Sequence, residues 1–442
     1  MAEYKRPKNE QEFKENFKQK KSLMSDTQAY LESSRCLFCY DAPCVNACPA
    51  GIDIPLFIKQ IQTGNTKGAA KTIYDSNWMG NACGTVCPTE VLCEGSCVYN
   101  NQCVEPLQIG RLQNYATMSV IKSGKKLYSP GEENDKKVAI IGAGPAGIAC
   151  ACELRTLGYS VDIYEAKAKP SGLTVHGVAP YKISNEEVLA EMDYLQNQLG
   201  YNIIYNHAIT SKEQIADLEA NYSAIFIGVG LGATAQLSMA GENLTGVHGA
   251  VEFIEELRMA HSDIKIAKKV VVIGGGNTAV DAASGSARLG ADEVTLAYRG
   301  RKDDMGAYGF EYDFAIGAGV HGLFNASPLE ILGKNKVEGV RFIKTESANG
   351  KLSMIAGSEF TVECDMVIKA TGQAKQGSLL RLIDGLELDH RTRIVVNPDT
   401  NQTTNPMYFA GGDAINGGAE VVNGAYDGKL AANGIHELLT QH

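Results

Sequence analysis

The chain has no excess of positive charge. Its 41 Lys and Arg face 51 Asp and Glu, a net charge of −10. That balance argues against nucleic acid or an anionic membrane as the main partner. It also has no long apolar run. The uncharged stretches 138–152 and 223–241 are interrupted by glycines, a proline and polar side chains, so neither reads as a lipid-compatible helix. The start, Met1-Ala-Glu-Tyr-Lys-Arg6, is charged and lacks an apolar signal core, which leaves the cytoplasm as the expected location. With 44% hydrophobic and 21% charged residues, disorder and coiled coil are excluded as the main state. Glycine is plentiful, 47 of 442, but follows no collagen period. It therefore points to tight turns and close backbone approaches to ligands. The length predicts two to four domains.

Cysteine is concentrated. Nine of the 12 lie between Cys36 and Cys103, an odd number in a chain expected in a reducing compartment. Metal binding is the better reading of such a block. It runs Cys36-x2-Cys39-x4-Cys44-x3-Cys48-Pro49, then Cys83-x3-Cys87-Pro88-x5-Cys93-x3-Cys97, then Cys103. Thiolates two to four residues apart can wrap a cubane, and the Cys-Pro steps are similar to those of bacterial ferredoxins. Zinc favours paired Cys-x2-Cys knuckles, and only one Cys-x2-Cys occurs here.

The polar segment 1–35 predicts a helical arm, with further helices at 55–62 and 107–120. The charged, Pro- and Gly-containing run 124–137 predicts an exposed linker. Beyond it, β-branched runs alternate with helical patterns, as in parallel α/β structure. This part contains a repeat. Lys136-Lys-Val-Ala-Ile-Ile-Gly-Ala-Gly-Pro-Ala-Gly147 aligns with Lys268-Lys-Val-Val-Val-Ile-Gly-Gly-Gly-Asn-Thr-Ala279 at an offset of 132. After one inserted residue, Val161–Glu165 aligns with Val294–Tyr298. Two βαβ dinucleotide-binding units follow, one inserted into the other.

The first fingerprint is Gly142-x-Gly144-x-x-Gly147, and Glu165 lies 23 residues beyond Gly142. The glycines permit a tight turn, approach to a pyrophosphate and close helix packing; the acid suits ribose hydroxyls. The second is Gly274-x-Gly276-x-x-Ala279. Its strand ends at Tyr298-Arg299 without an acid, and Arg301 is near. These cations either meet a 2′-phosphate, as in NADP, or are solvated surface charges. Met407-Tyr-Phe-Ala-Gly-Gly-Asp413 reads as a strand entering a loop, with Asp413 able to bond a ribityl chain or phosphate loop. Cys150-x-Cys152 has the wrong spacing for a redox pair and reads as buried packing, as does Cys364.

Together with Ala370-Thr371-Gly372, these features resemble two-dinucleotide flavoprotein reductases over about residues 137–442. At Ser34-Arg-Cys-Leu-Phe-Cys-Tyr-Asp-Ala-Pro-Cys-Val-Asn-Ala-Cys-Pro-Ala50 the resemblance narrows. With Cys87–Cys93, Ile109-Gly-Arg-Leu-Gln113 and Gly274–Asp281, the chain resembles the flavin-containing (PreT-like) subunits of bacterial NAD-dependent dihydropyrimidine dehydrogenase, within the glutamate synthase small-subunit family. The resemblance implies an α-helical iron–sulfur domain followed by α/β FAD- and NAD(P)-binding flavoprotein domains. The implied boundaries are 1–128 for the cluster domain, 137–245 with 365–442 for FAD, and 246–364 for NAD(P).

The resemblance also implies site residues. One 4Fe-4S cluster would take Cys36, Cys39, Cys44 and Cys97; the other Cys48, Cys87, Cys93 and the side-chain oxygen of Gln113, with Cys83 or Cys103 as rival eighth ligands. FAD would take Gly142, Ala143, Gly144, Pro145, Gly147, Glu165, Gly172, Leu173, Lys182, Gly412 and Asp413. The nicotinamide nucleotide would take Gly274, Gly275, Gly276, Asn277, Thr278, Arg299 and Arg301. Lys182 replaces a family arginine. NAD(H) is the family's coenzyme, whereas Arg299 fits NADP(H) better. The implied activity is electron relay to an FMN- and iron–sulfur-containing (PreA-like) partner, in a heterotetramer, that reduces uracil or thymine. An FMN barrel needs about 250 residues of its own, which this chain lacks. The alternatives are an NADPH-oxidising subunit of glutamate synthase or of a ferredoxin:NADP transhydrogenase, and, in another class, a redox sensor or scaffold with degenerate sites.

Overall fold

The computed structural model describes residues 4–348 and 351–440. Met1 to Glu3, part of the charged start read above, lie outside them. The chain forms two compact units. One comprises Lys20–Val175, Lys182–Leu231 and Lys375–His442; the other comprises the residues up to Gln19, His176–Tyr181 and Gly232–Ala374.

The first unit opens with short helices. Ile54–Gln62 starts after Asp53, whose side chain accepts the Leu56 N–H, and has Pro at its first turn. It buries Ile54, Phe57, Ile58 and Ile61 against Ile73, Leu112 and Ala116 of the helices Thr66–Ser76 and Ile109–Ser123. Cys36, Cys44, Cys48, Cys93 and Cys97 pack on this small core. No helix or strand forms between Ser123 and Lys137, as the linker reading expected. A five-stranded parallel sheet follows, in the order Tyr408–Ala410, Ala224–Ile227, Lys137–Ile141, Ser160–Tyr164, Asn202–Ile204. Its central strands are buried almost throughout, because helices cover both faces of a parallel sheet.

The second unit repeats the plan. Its parallel sheet runs Val247–Gly249, Met366–Lys369, Lys269–Ile273, Glu293–Ala297, Val320–Leu323. Ile141 pairs with Tyr164 in one sheet and Ile273 with Ala297 in the other. The internal repeat and its single insertion are thus visible as strand register. An antiparallel sheet of Ala326–Leu332, Gly339–Ala348 and Lys351–Glu363 is added to this unit.

The contacts group the chain differently from the expected boundaries. The second unit runs from 232 to 374 rather than 246 to 364 because Thr234 bridges Gln373 and the Gly232 N–H reaches the Ala374 carbonyl at 2.8 Å. The N-terminal arm also belongs with the second unit, not with the cysteine-rich helices. Its helix Glu10–Asn16 brings Phe13 into the core of that unit, with Phe17 just beyond. Asn16 Nδ2 bonds the Arg288 carbonyl at 2.7 Å, and the Arg288 guanidinium lies 4.8 Å from the Tyr4 ring. The longest helix, Val421–Thr440, carries Asp427 and Lys429, and no described helix is long and apolar enough to cross a membrane.

Candidate functional site

At the first fingerprint, the strand Lys137–Ile141 turns through Gly142, with φ of 102°, into the helix Pro145–Thr156. Gly144 caps that helix without a side-chain bond, which leaves its first N–H groups for an anion. A Cβ on Gly147 would lie 2.0 Å from the Gly142 carbonyl oxygen, so only glycine lets helix and turn close this tightly. Gly172 and Leu173 follow Ser171, whose N–H bonds the Ala143 carbonyl at 2.6 Å. A Cβ on Gly172 would stand 3.1 Å from the Gly144 Cα, and one on Gly412 3.2 Å from the Ala146 Cβ. Small residues from three segments therefore leave a cradle at the helix start, which suits a dinucleotide pyrophosphate.

Glu165 follows the strand Ser160–Tyr164. It accepts the Ala143 N–H at 2.8 Å through Oε2 and the Lys167 N–H at 2.8 Å through Oε1. Its carboxylate braces the phosphate loop and keeps lone pairs for a ribose. Asp413 Oδ1 accepts the Ala419 N–H at 3.0 Å, and burial raises its carboxyl above the usual range. Asp427, unmarked by any motif, accepts the Gly412 N–H at 2.9 Å and is pushed up to about 6 by burial and the charge of Asp413. Lys182 is half-buried.

In the second unit, Gly274 turns the strand Lys269–Ile273 toward Gly276, which caps Asn277–Arg288 without a side-chain bond. The Ala307 N–H bonds the Gly275 carbonyl at 2.9 Å and Asn277 Oδ1 accepts the Tyr308 N–H at 3.0 Å, so the segment 307–308 clasps the loop. Thr278 is exposed, as are Arg299 and Arg301.

The cysteines gather in two groups. Cys36, Cys39, Cys44 and Cys97 line one cavity with Ile54, Ile58, Leu107 and Ile109. Burial pushes Cys44 up to about 11, with Cys36 and Cys97 adding to the rise. Cys48, Cys87 and Cys93 form the second group: burial raises Cys48 and Cys93, and the proximity of Cys87 raises both further. Among the described residues, no three His, Cys, Asp or Glu side chains converge on a single ion. The first group lines a space, as the ligands of a four-iron cubane must. Cys83 lies one helical turn before Cys87, whose N–H donates to the Cys83 carbonyl at 3.1 Å. Cys103 is exposed, at φ of 53°. Gln113 is buried on Ile109–Ser123 and its Nε2 donates to the Gly80 carbonyl at 2.7 Å, which fixes how its amide is turned. Cys150 and Cys152 are fully buried in the helix after the phosphate loop, and burial raises both thiols.

No motif marks Glu191. This carboxylate on Asn185–Leu199 is fully buried and accepts the Asn81 N–H at 2.6 Å, the Ala82 N–H at 2.9 Å and the Tyr74 hydroxyl at 3.1 Å. It thereby ties the part of the unit that carries the first fingerprint to the helix Gly80–Val86 that leads into Cys87. Burial raises its pKa from 4.5 to about 7. The folded state thus holds the proton more tightly than the unfolded one. This stabilisation is full below pH 4.5 and is lost as pH rises through about 7. Between about pH 6 and about pH 8 the chain should lose roughly 1 kcal/mol through this group. Anaerobic urea unfolding should show that slope, and Glu191→Gln should flatten it.

Residues 13–125 match the family model described as dihydropyrimidine dehydrogenase domain II, 4Fe-4S cluster, and 136–428 match pyridine nucleotide-disulphide oxidoreductase. The chain is 36% identical over 411 residues to the NAD-dependent dihydropyrimidine dehydrogenase subunit PreT of Escherichia coli, covering 93% of this chain and 94% of that one. The chain belongs to the family of PreT subunits and glutamate synthase small chains. The E. coli glutamate synthase [NADPH] small chain is 34% identical over 437 residues, covering 94% of this chain and 92% of that one. Among solved structures, FprA of Mycobacterium tuberculosis in complex with NADPH aligns with a TM-score of 0.57 at 19% identity, over 70% of this chain and 85% of that one, which supports the fold. Members of this family are NAD(P)H-dependent flavin and iron–sulfur oxidoreductases, and this chain binds FAD, 4Fe-4S and NAD(P)H.

Proposed function

We propose that the chain is the electron-input subunit of a dihydropyrimidine dehydrogenase. It takes electrons from NADH, with NADPH as the second candidate, and delivers them to an FMN- and iron–sulfur-containing (PreA-like) partner. The partner reduces uracil or thymine to the 5,6-dihydro form, in a heterotetramer. The observation that carries the reading is that both cysteine groups lie in one compact unit with the first fingerprint, braced to it through Glu191. Near full-length similarity to a PreT subunit supports it.

In this reading Cys36, Cys39, Cys44 and Cys97 hold one 4Fe-4S cluster, and Cys48, Cys87, Cys93 and Gln113 the other. The Gly142–Gly147 loop, Glu165, Gly172, Leu173, Lys182, Gly412 and Asp413 hold FAD. The Gly274–Thr278 segment, with Arg299 and Arg301, holds the nicotinamide nucleotide. Bound FAD supplies the conversion between a two-electron hydride donor and one-electron carriers. The chain's own part is placement. The helix-start N–H groups seat the phosphates, Glu165 and Asp427 keep the loops around them in register, and the apolar lining of the first cysteine cavity excludes water.

A second reading, the NADPH-oxidising subunit of glutamate synthase or of a transhydrogenase, is favoured by the Arg-bearing strand end and the similar identity to the glutamate synthase small chain. The proposed division of labour predicts that the purified chain oxidises NADH or NADPH with an artificial dye but does not reduce uracil. Uracil reduction by this chain unaided would contradict it.

A further inference from the structure

The strand Glu293–Ala297 ends at Tyr298, the position that matches Glu165 in the repeat. In the first unit that position carries a carboxylate braced on the phosphate loop. Here it carries a ring. A Cβ on Gly275 would meet the Tyr298 Cδ2 at 2.4 Å, so the ring covers the loop from the same side. Its hydroxyl donates to the Asp304 carbonyl at 2.8 Å. The Asp304 carboxylate in turn takes both arms of Arg301: Nε to Oδ2 at 3.0 Å and Nη2 to Oδ1 at 3.2 Å. The other charges at this strand end are Arg299, Asp303 and Lys302. Arg299 is exposed, and its carbonyl accepts the Thr345 hydroxyl. Lys302 is turned toward Asp313, at 3.9 Å, and the Tyr312 ring.

We propose that Asp304 is a specificity-determining residue that holds the Arg301 fork and biases this site toward nucleotides with a free 2′-hydroxyl. The inference rests on the reading above that the second unit takes the nicotinamide nucleotide. A 2′-phosphate carries nearly two negative charges and matches a guanidinium bidentately. Asp304 occupies that same fork and places a like charge beside it. NADPH must displace the carboxylate and then lie next to it, whereas NADH meets neither cost. Tyr298 sets the geometry by anchoring the Asp304 backbone. Both partners of the pair are solvent-accessible, with side-chain exposures of 62% and 39%, so the gate is soft and salt weakens it. An arginine-bearing strand end therefore does not by itself make the site an NADP site.

The test uses the FAD-loaded chain and Asp304→Asn, which keeps the shape and removes the charge. Two quantities are read: the ratio of kcat/KM for NADPH to that for NADH with a dye acceptor, and calorimetric Kd values for 2′,5′-ADP and 5′-AMP. The wild type should favour NADH. Asp304→Asn should raise the ratio about tenfold and tighten 2′,5′-ADP to a similar degree, with 5′-AMP changed by less than about twofold. Adding Arg301→Ala should remove the gain. The inference is overturned if the wild type already prefers NADPH, if Asp304→Asn leaves the ratio within about twofold, or if both mononucleotides shift together. A wild-type chain that binds neither mononucleotide and oxidises neither coenzyme overturns the underlying reading as well, so the two failures are distinguishable.

Discussion

Gly428→Ala should strip the chain of FAD while every residue of the glycine fingerprint stays in place. The helix Val421–Thr440 crosses Pro145–Thr156 at this glycine. A Cβ there would lie 2.0 Å from the Ala146 carbonyl oxygen and 3.0 Å from the Cys150 nitrogen. Both obstacles are backbone and cannot rotate away, so the helices must separate. One turn earlier, Gly424 is 3.9 Å from the Gly412 Cα by the same measure, and separation would pull the Gly412 loop off the cradle. Overpacking of this kind costs about 1–3 kcal/mol. If it falls on the bound form, affinity drops roughly ten- to hundredfold. Flavin absorbance per chain after purification is the measurement. Full flavin content would show that the helix pair yields cheaply and that the cradle does not depend on it.

Cys93→Ser should halve the iron, from about eight to about four atoms per chain, and leave dye reduction by NADH largely intact. Its thiol lies with Cys48 and Cys87, and serine cannot supply a thiolate. Cys103→Ser should change nothing, because that side chain is exposed. Gln113→Ala should lose the same four irons as Cys93→Ser if its side-chain oxygen is the proposed eighth ligand, the Gly80 carbonyl being taken by the amide nitrogen. Iron counts and reduced-state EPR spectra after anaerobic purification decide it. If Gln113→Ala keeps its iron while Cys83→Ser loses half, the eighth ligand is the Cys83 thiol, one helical turn before Cys87.

The legible parts of this protein are those in which one short segment contains the whole physical argument. A β-branched run, a glycine triplet and a helix specify a phosphate loop within about a dozen residues, and the same text twice gave the second unit. Cysteine spacing separated the block from the rest in the same way. What stayed illegible depends on segments far apart. Gly147, within the fingerprint helix, and Gly428, on the far C-terminal helix, both permit close packing at that helix, yet only Gly147 stands in a motif. Glu191 looks like any helix-surface acid until the turn Asn81-Ala82 is brought to it. Phe13 and Phe17, one turn apart in a polar arm, carry a burial signal too short to name the core they enter. Arg301 could be counted as a phosphate ligand from sequence, but the bond that occupies it comes from Asp304, three residues on in a turn that shows no periodicity.

The proposed relay begins at the nicotinamide nucleotide and ends on another chain. Its most direct test mixes this chain with an FMN- and iron–sulfur-containing (PreA-like) protein and measures NADH-dependent formation of dihydrouracil. Product should form only when both chains are present. It should be lost with Cys39→Ser in this chain, although that variant should still reduce a dye with NADH. Product formed equally well with Cys39→Ser, or by either chain alone, would contradict it.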